Sequence, residues 1–131
     1  MRVLLADDEP KVRSALRLIL EQLNEVEVIE EAADARSLAD CLHESRPDLL
    51  LLDWELPGLH QGASLADLVQ RGSTPLKVIV LSGHHQSRRS ALASGADAFV
   101  SKGESPDRLF ATLRAIDASR AADAGRLADP D

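Results

Sequence analysis

The stretch Asp48-Leu49-Leu50-Leu51-Leu52-Asp53 decides the fold. Four consecutive leucines follow neither the period of an amphipathic helix nor the alternation of a half-wet strand. Pro47 precedes the run and Pro57-Gly58 follows it, so its length suits a strand covered on both faces. Strands of that kind belong to parallel sheets between two layers of helices. Asp53 then places a carboxylate where the apolar pattern would have continued. Alone it reads as a solvated turn residue. Its weight changes because other strands of this chain also end in reactive groups.

Upstream, Arg2-Val3-Leu4-Leu5-Ala6 predicts a first buried strand, stopped by Asp7-Asp8-Glu9. Pro10 suits the first turn of a helix, where its missing N–H costs nothing. Val12, Leu16, Ile19, Leu20 and Leu23 recur at helical spacing and carry that helix to Leu23. The segment from Val26 to Ala32 partly alternates, as an edge strand with one wet side does. Asp34 is a candidate N-cap for a second helix with Leu38, Ala39 and Leu42 inward, ended by Pro47.

Downstream, residues 57–62 predict a loop, and Leu65, Leu68 and Val69 a short third helix stopped by Gly72. Lys77 to Ser82 predicts a fourth strand. Gln86 to Ser94 forms a weak fourth helix whose one large apolar residue is Leu92, capped by Gly95. Ala98 to Ser101 is a short fifth strand that runs into Lys102. Ser105-Pro106 opens a last helix carrying Leu109, Phe110, Leu113 and Ile116. From Ser119 onward no apolar stripe remains, and the segment reads as a fraying helix end or linker. The expected organisation is one domain over residues 1–118 and a tail over 119–131.

The totals agree with one soluble domain. The chain has 131 residues, 44% of them hydrophobic, enough for a real core. Its aromatics are Trp54, Phe99 and Phe110, so the core must be built from Leu, Val, Ile and Ala. No apolar run reaches membrane-spanning length, and the N-terminus turns acidic too soon for a signal-peptide core. A single cysteine, Cys41, excludes an internal disulfide and fits a reducing cytoplasm. The net charge of −7 argues against direct nucleic-acid contact, which needs a basic face. The same charge is compatible with a divalent cation.

Five strands alternating with five helices imply right-handed βαβ units and an α/β fold. The expected architecture is a flavodoxin-like, doubly wound, five-stranded parallel sheet of order 2-1-3-4-5. Its functional crevice lies at the carboxyl ends of the strands, where the order reverses between the first and third. Four strand ends would therefore deliver Asp7 and Asp8, Asp53, Ser82 and Lys102 to one rim, and the edge strand would deliver nothing. Three converging carboxylates repel and raise at least one pKa. A hard cation resolves the repulsion: Mg2+ takes oxygen ligands and combines carboxylates with a phosphate oxygen. Lys102 and the Ser82 hydroxyl would face an anion on Asp53, an arrangement suited to phosphoryl transfer with Asp53 as nucleophile.

At these residues the chain resembles the receiver domain of two-component response regulators, over roughly residues 2 to 117. The resemblance rests on Asp7-Asp8, Asp53, Ser82 and Lys102, with Asp53-Trp54-Glu55-Leu56-Pro57-Gly58 and the stretch from Gly95 to Lys102. It implies a signalling phosphoacceptor, not an enzyme acting on other substrates, with only self-catalysed phosphorylation and dephosphorylation. Asp53 would take phosphate from a histidine kinase or phosphotransfer protein. Asp8 and Asp53 would ligate Mg2+ directly with the backbone carbonyl of Glu55, and Asp7 through water. Ser82 would be the switch hydroxyl, Phe99 the aromatic switch, and Lys102 the contact to the phosphoryl oxygens. Glu55 and His84 fall at the positions that tune phosphoryl lifetime.

The resemblance further implies that the face of the fourth helix, fifth strand and fifth helix (α4-β5-α5) changes on phosphorylation. A phosphorylation-dependent homodimer and a transcriptional regulator with a DNA-binding output belong to the same expectation. Ser82 and Phe99 stand where threonine and tyrosine are frequent, and the segment from Leu59 to Gly62 is longer and more polar than the usual Asp-Gly turn. Blander readings exist residue by residue. Asp7-Asp8-Glu9 could serve only the helix dipole, His84-His85 could be an exposed loop pair, and Cys41 a small core hydrophobe. His43 and His60 read as surface residues. Competing functions are a receiver-like docking module that never sees phosphate, an aspartyl-nucleophile phosphatase using Glu55 as second acid, and a flavin-binding protein. The acidic Asp7-Asp8-Glu9-Pro10 turn is the wrong charge for a flavin phosphate.

Overall fold

A computed structural model describes residues 1–62, 65–69 and 76–128. Its strands are β1 (Arg2–Ala6), β2 (Glu27–Ala32), β3 (Leu49–Asp53), β4 (Lys77–Ser82) and β5 (Ala98–Ser101). They pair in parallel in the order β2-β1-β3-β4-β5, which is the expected doubly wound topology. The helices are α1 (Pro10–Leu20), α2 (Ala35–Ser45), α3, α4 (Arg88–Ala93) and α5 (Pro106–Ala128). Here α3 denotes two short helical segments, Leu59–Gly62 and Leu65–Val69.

The four leucines of β3 show why the run resists a simple period. Leu49 and Leu51 point to one face of the sheet with Val3, Leu5, Ile79, Leu109 and Leu113. Leu50 and Leu52 point to the other with Leu4, Leu38, Val78 and Phe99. Both faces are core, so every position must be apolar. Burying each leucine contributes about 2–3 kcal/mol relative to exposure.

The element ends differ from the sequence expectations in four places. Helix α1 closes at Leu20 rather than Leu23, because Leu23 and Val26 pack onto the core from a turn. The predicted loop over residues 57–62 contains the helical turn Leu59–Gly62, whose Leu59 is buried among the second-face residues. In α4 the buried residue is Ala91, while Leu92 is exposed. Helix α5 runs on to Ala128, past the expected change at 119, and Arg120 ties it back to Asp48 below β3 at 3.3 Å. The predicted stop at Gly72 lies outside the described residues. Asp34 caps α2 as expected, in a reciprocal capping box with Ser37. Cys41 is buried, and burial pushes its thiol up to about 11, as suits a small hydrophobe. No helix among the described residues is long and apolar enough to cross a membrane.

Candidate functional site

Parallel pairing brings the carboxyl ends of β1, β3, β4 and β5 to one rim. The Asp7 N–H donates to the Ala32 carbonyl, the Trp54 N–H to Leu81 and the Lys102 N–H to Ser82. Each strand is thereby held in register one residue beyond its end. The chemistry-bearing residues sit on those extra residues or immediately beside them.

Asp7, Asp8 and Asp53 each offer an oxygen within 4.8 Å of the others. Asp7 and Asp53 are 1% and 2% exposed, whereas Asp8 faces solvent. The Lys102 amine crosses the rim and lies 2.9 Å from Asp7 Oδ2 and 3.3 Å from Asp53 Oδ1. The one amine is thus shared by the two buried acids of the cluster. Asp7 Oδ1 accepts the Glu9 N–H and Asp53 Oδ1 accepts the Glu55 N–H. Buried Asp7 Oδ2 accepts no aligned hydrogen bond, so its ion pair with Lys102 is all that offsets it.

The electrostatics follow. Burial raises the pKa of Asp53, the Glu55 N–H pulls it back, and the charge of Asp7 raises it again, leaving it above the ordinary aspartate value. Burial pulls the Lys102 amine down, but its close contact with Asp7 and the charges of Asp53 and Asp7 outweigh that and leave its pKa raised. An excess of buried negative charge with one unsatisfied oxygen, built wholly from oxygen donors, fits a hard divalent cation such as Mg2+.

Ser82 is fully buried, and its hydroxyl is engaged by Glu55 and His84. It donates to the Glu55 carboxylate at 2.8 and 3.0 Å and accepts the His84 N–H at 3.0 Å. His84 Nε2 lies 3.9 Å from Glu55. Glu55 and His84 therefore meet through the Ser82 hydroxyl. Phe99 is 4% exposed and packs inward on the sheet face beneath β4. His60 is exposed, as expected of a surface residue, and its Nε2 lies 2.7 Å from the Trp54 carbonyl with its ring edge-on against Trp54. A histidine three residues after a Pro57 turn carries no sequence signal for that contact.

Acids at a topological switch point, faced by a lysine from a third strand end, define an α/β signalling receiver rather than a flavin carrier. The chain belongs to the response regulator receiver domain family, whose model matches residues 3–114. Among curated relatives it is similar to the phosphate regulon transcriptional regulatory protein PhoB of Klebsiella pneumoniae, 34% identical over 119 residues. That match covers 88% of this chain and 51% of PhoB. Response regulator UvrY of Escherichia coli K12 is 28% identical over 118 residues, covering 88% of this chain and 54% of UvrY. The chain thus spans about half the length of these relatives.

Among solved structures it resembles the isolated receiver domain of RcsB from Salmonella enterica serovar Typhimurium, with the phosphomimetic BeF3−, at TM-score 0.79 and 28% identity. That similarity covers 89% of this chain and 88% of the other. RcsB of the same organism bound to the promoter rprA matches at TM-score 0.77 and 28% identity, over 88% of this chain and 67% of the other. The protein is a receiver domain of a two-component response regulator, related to DNA-binding transcriptional regulators.

Proposed function

We propose that Asp53 accepts a phosphoryl group from a histidine kinase or phosphotransfer protein, and that the domain passes this event to an output. The observation that carries it is the acid cluster of Asp7, Asp8 and Asp53, with Lys102 bridging the two buried members, Asp7 and Asp53. Asp8 and Asp53 would hold Mg2+ directly with the Glu55 backbone carbonyl, and Asp7 through water. When bound, the ion offsets the carboxylate charge and that of the transferring phosphoryl group. The Glu55 N–H and the Lys102 amine both engage Asp53 Oδ1, which leaves Oδ2 as the attacking atom. A new Oδ2–P bond forms as the bond from phosphorus to the donor nitrogen breaks, and the nitrogen departs with that electron pair. Lys102 then neutralises the phosphoryl oxygens. Hydrolysis of the acyl phosphate by water returns the carboxylate and releases inorganic phosphate.

The switch follows from charge. A phosphoryl group adds roughly −1.5 to −2 charges at Asp53. Ser82 can turn toward it only by releasing Glu55. Phe99 already lies inward, so phosphorylation does not swing it in from solvent but biases an equilibrium that contains this packing. The responding face comprises α4, β5 and α5, with α4 preceded by a single 3-10 turn and burying only Ala91. That thin packing suits an element of low local stability. Residues 1–118 would form the signalling body. The remainder of α5 would lead toward a DNA-binding output, with activation through a homodimer in the cytoplasm.

Incubation with acetyl phosphate and Mg2+, followed by intact mass, tests the acceptor. Wild type is expected to gain one phosphoryl mass and Asp53→Asn none; equal gain in both would contradict the assignment. Glu55→Ala is expected to speed that gain by about 3–10-fold. It removes the acceptor that holds the Ser82 hydroxyl and a carboxylate that repels the incoming anion, a charge-assisted contact worth about 1.5–3 kcal/mol. An unchanged or slower initial rate would show that the Ser82–Glu55 pair does not restrain phosphorylation.

A further inference from the structure

The edge strand β2 brings no chemistry to the rim, yet it carries Glu31. Arg13 of α1 donates from Nε to Glu31 Oε1 at 2.9 Å and from Nη1 to the Asp7 backbone carbonyl at 2.5 Å. Arg17, one turn further on, clasps Glu31 Oε2 at 2.6 and 3.0 Å and makes no hydrogen bond to Asp7 among the described residues. The Arg13 side chain is 18% exposed. The Asp7 N–H is already bonded to the Ala32 carbonyl of β2. The peptide groups on both sides of Asp7 are therefore tied, the one before it by strand pairing and the one after it by the guanidinium.

We infer that Arg13 is a positioning residue for the Asp7-Asp8 turn, with Glu31 holding the guanidinium at the angle that grips the Asp7 carbonyl. The planar fork is what allows one side chain to engage both acceptors. Orienting the Asp7–Asp8 peptide aims the exposed Asp8 side chain at the cluster, for which no other described hydrogen bond provides. The edge strand thus contributes to the site through α1. The inference rests on the Mg2+ and Asp53 assignments above.

Two effects of Arg13 on cation binding have opposite signs, which makes the inference testable without phosphorylation. As a bare positive charge near the acids, Arg13 repels Mg2+, and its removal tightens binding. As a positioning residue its removal loosens binding, by about tenfold for the loss of an outer-shell partner. Mg2+ titration is read by Trp54 emission and by calorimetry on wild type, Arg13→Gln, Arg13→Lys and Arg17→Gln. The expected result is weaker Mg2+ affinity for Arg13→Gln, with Arg17→Gln near wild type because it alters the Glu31 pair without touching Asp7. Should Arg13→Gln fail to fold on thermal melting in EDTA, Arg13→Lys decides: it keeps the charge, loses the fork and is expected to bind more weakly. Affinity equal to wild type or tighter in the deciding variant overturns the inference while Asp53 keeps its mass gain. Wild type that neither binds Mg2+ nor gains mass at Asp53 overturns the assignments beneath it, and the inference with them.

Discussion

Asp53→Asn is expected to abolish phosphoryl acceptance and at the same time to stabilise the fold at neutral pH in the absence of divalent ions. The Asp53 carboxylate is buried beside Asp7, and both share one lysine amine. Asparagine keeps the oxygen that accepts the Glu55 N–H and removes the surplus charge. The gain is about 1–3 kcal/mol, the order for removing an under-compensated buried charge. That corresponds to roughly 3–5 °C in melting temperature per kcal/mol for a domain of this size. The pH dependence has a fixed sign. Burial and the charge of Asp7 raise the folded-state pKa of Asp53 above its unfolded value. Its contribution is then fully present below the unfolded pKa and lost as pH rises through the folded one. The advantage of asparagine should accordingly shrink as pH falls into the acid range, where wild-type Asp53 is itself neutral. Thermal melts of both proteins in EDTA across pH would check this. A variant less stable than wild type at pH 7, or an advantage growing toward acid pH, would contradict it.

Lys102→Ala is expected to move stability the other way, by about 2–4 kcal/mol in EDTA. Removing one partner of a buried pair leaves the other charge uncompensated at about 3–5 kcal/mol, discounted here because the Lys102 side chain is 24% exposed. Asp7 Oδ2 would then have neither hydrogen bond nor ion pair among the described residues. Mg2+ should restore part of the loss, since it supplies charge where the amine was. Asp53→Asn should stabilise the Lys102→Ala protein by more than it stabilises wild type, because the amine that partly offsets Asp53 is gone, a non-additivity that a double-mutant cycle reads directly. Denaturant melts of the four proteins supply the numbers. Strict additivity would mean that Lys102 and Asp53 do not share one electrostatic site.

Sequence patterning foretold the sheet because its signals are local and redundant. Leu49 to Leu52 had to be buried on both faces, and Asp7, Asp8, Asp53, Ser82 and Lys102 terminate strands that the parallel topology aligns. Other features were hidden for definite reasons. Periodicity looks for an apolar stripe, so the Ala- and Arg-rich run after Ser119 reads as a fraying end, although high helix propensity carries α5 to Ala128. Pro57-Gly58 signals a turn and masks the helical residues immediately behind it. The orientation of Ser82 toward Glu55 depends on a side-chain rotamer that no spacing encodes. Arg13 reads as the polar face of α1 and Glu31 as the wet side of β2; only the packing of α1 against the sheet brings the two together and Arg13 to the Asp7 carbonyl.

The most direct test of Asp53 as the phosphoryl carrier is chemical mapping. After reaction with acetyl phosphate and Mg2+, borohydride reduces an aspartyl phosphate to homoserine, and peptide mass spectrometry locates it. The account predicts homoserine at position 53 and nowhere else. Homoserine at Asp7 or Asp8, or a phosphorylated protein without any at 53, would contradict it.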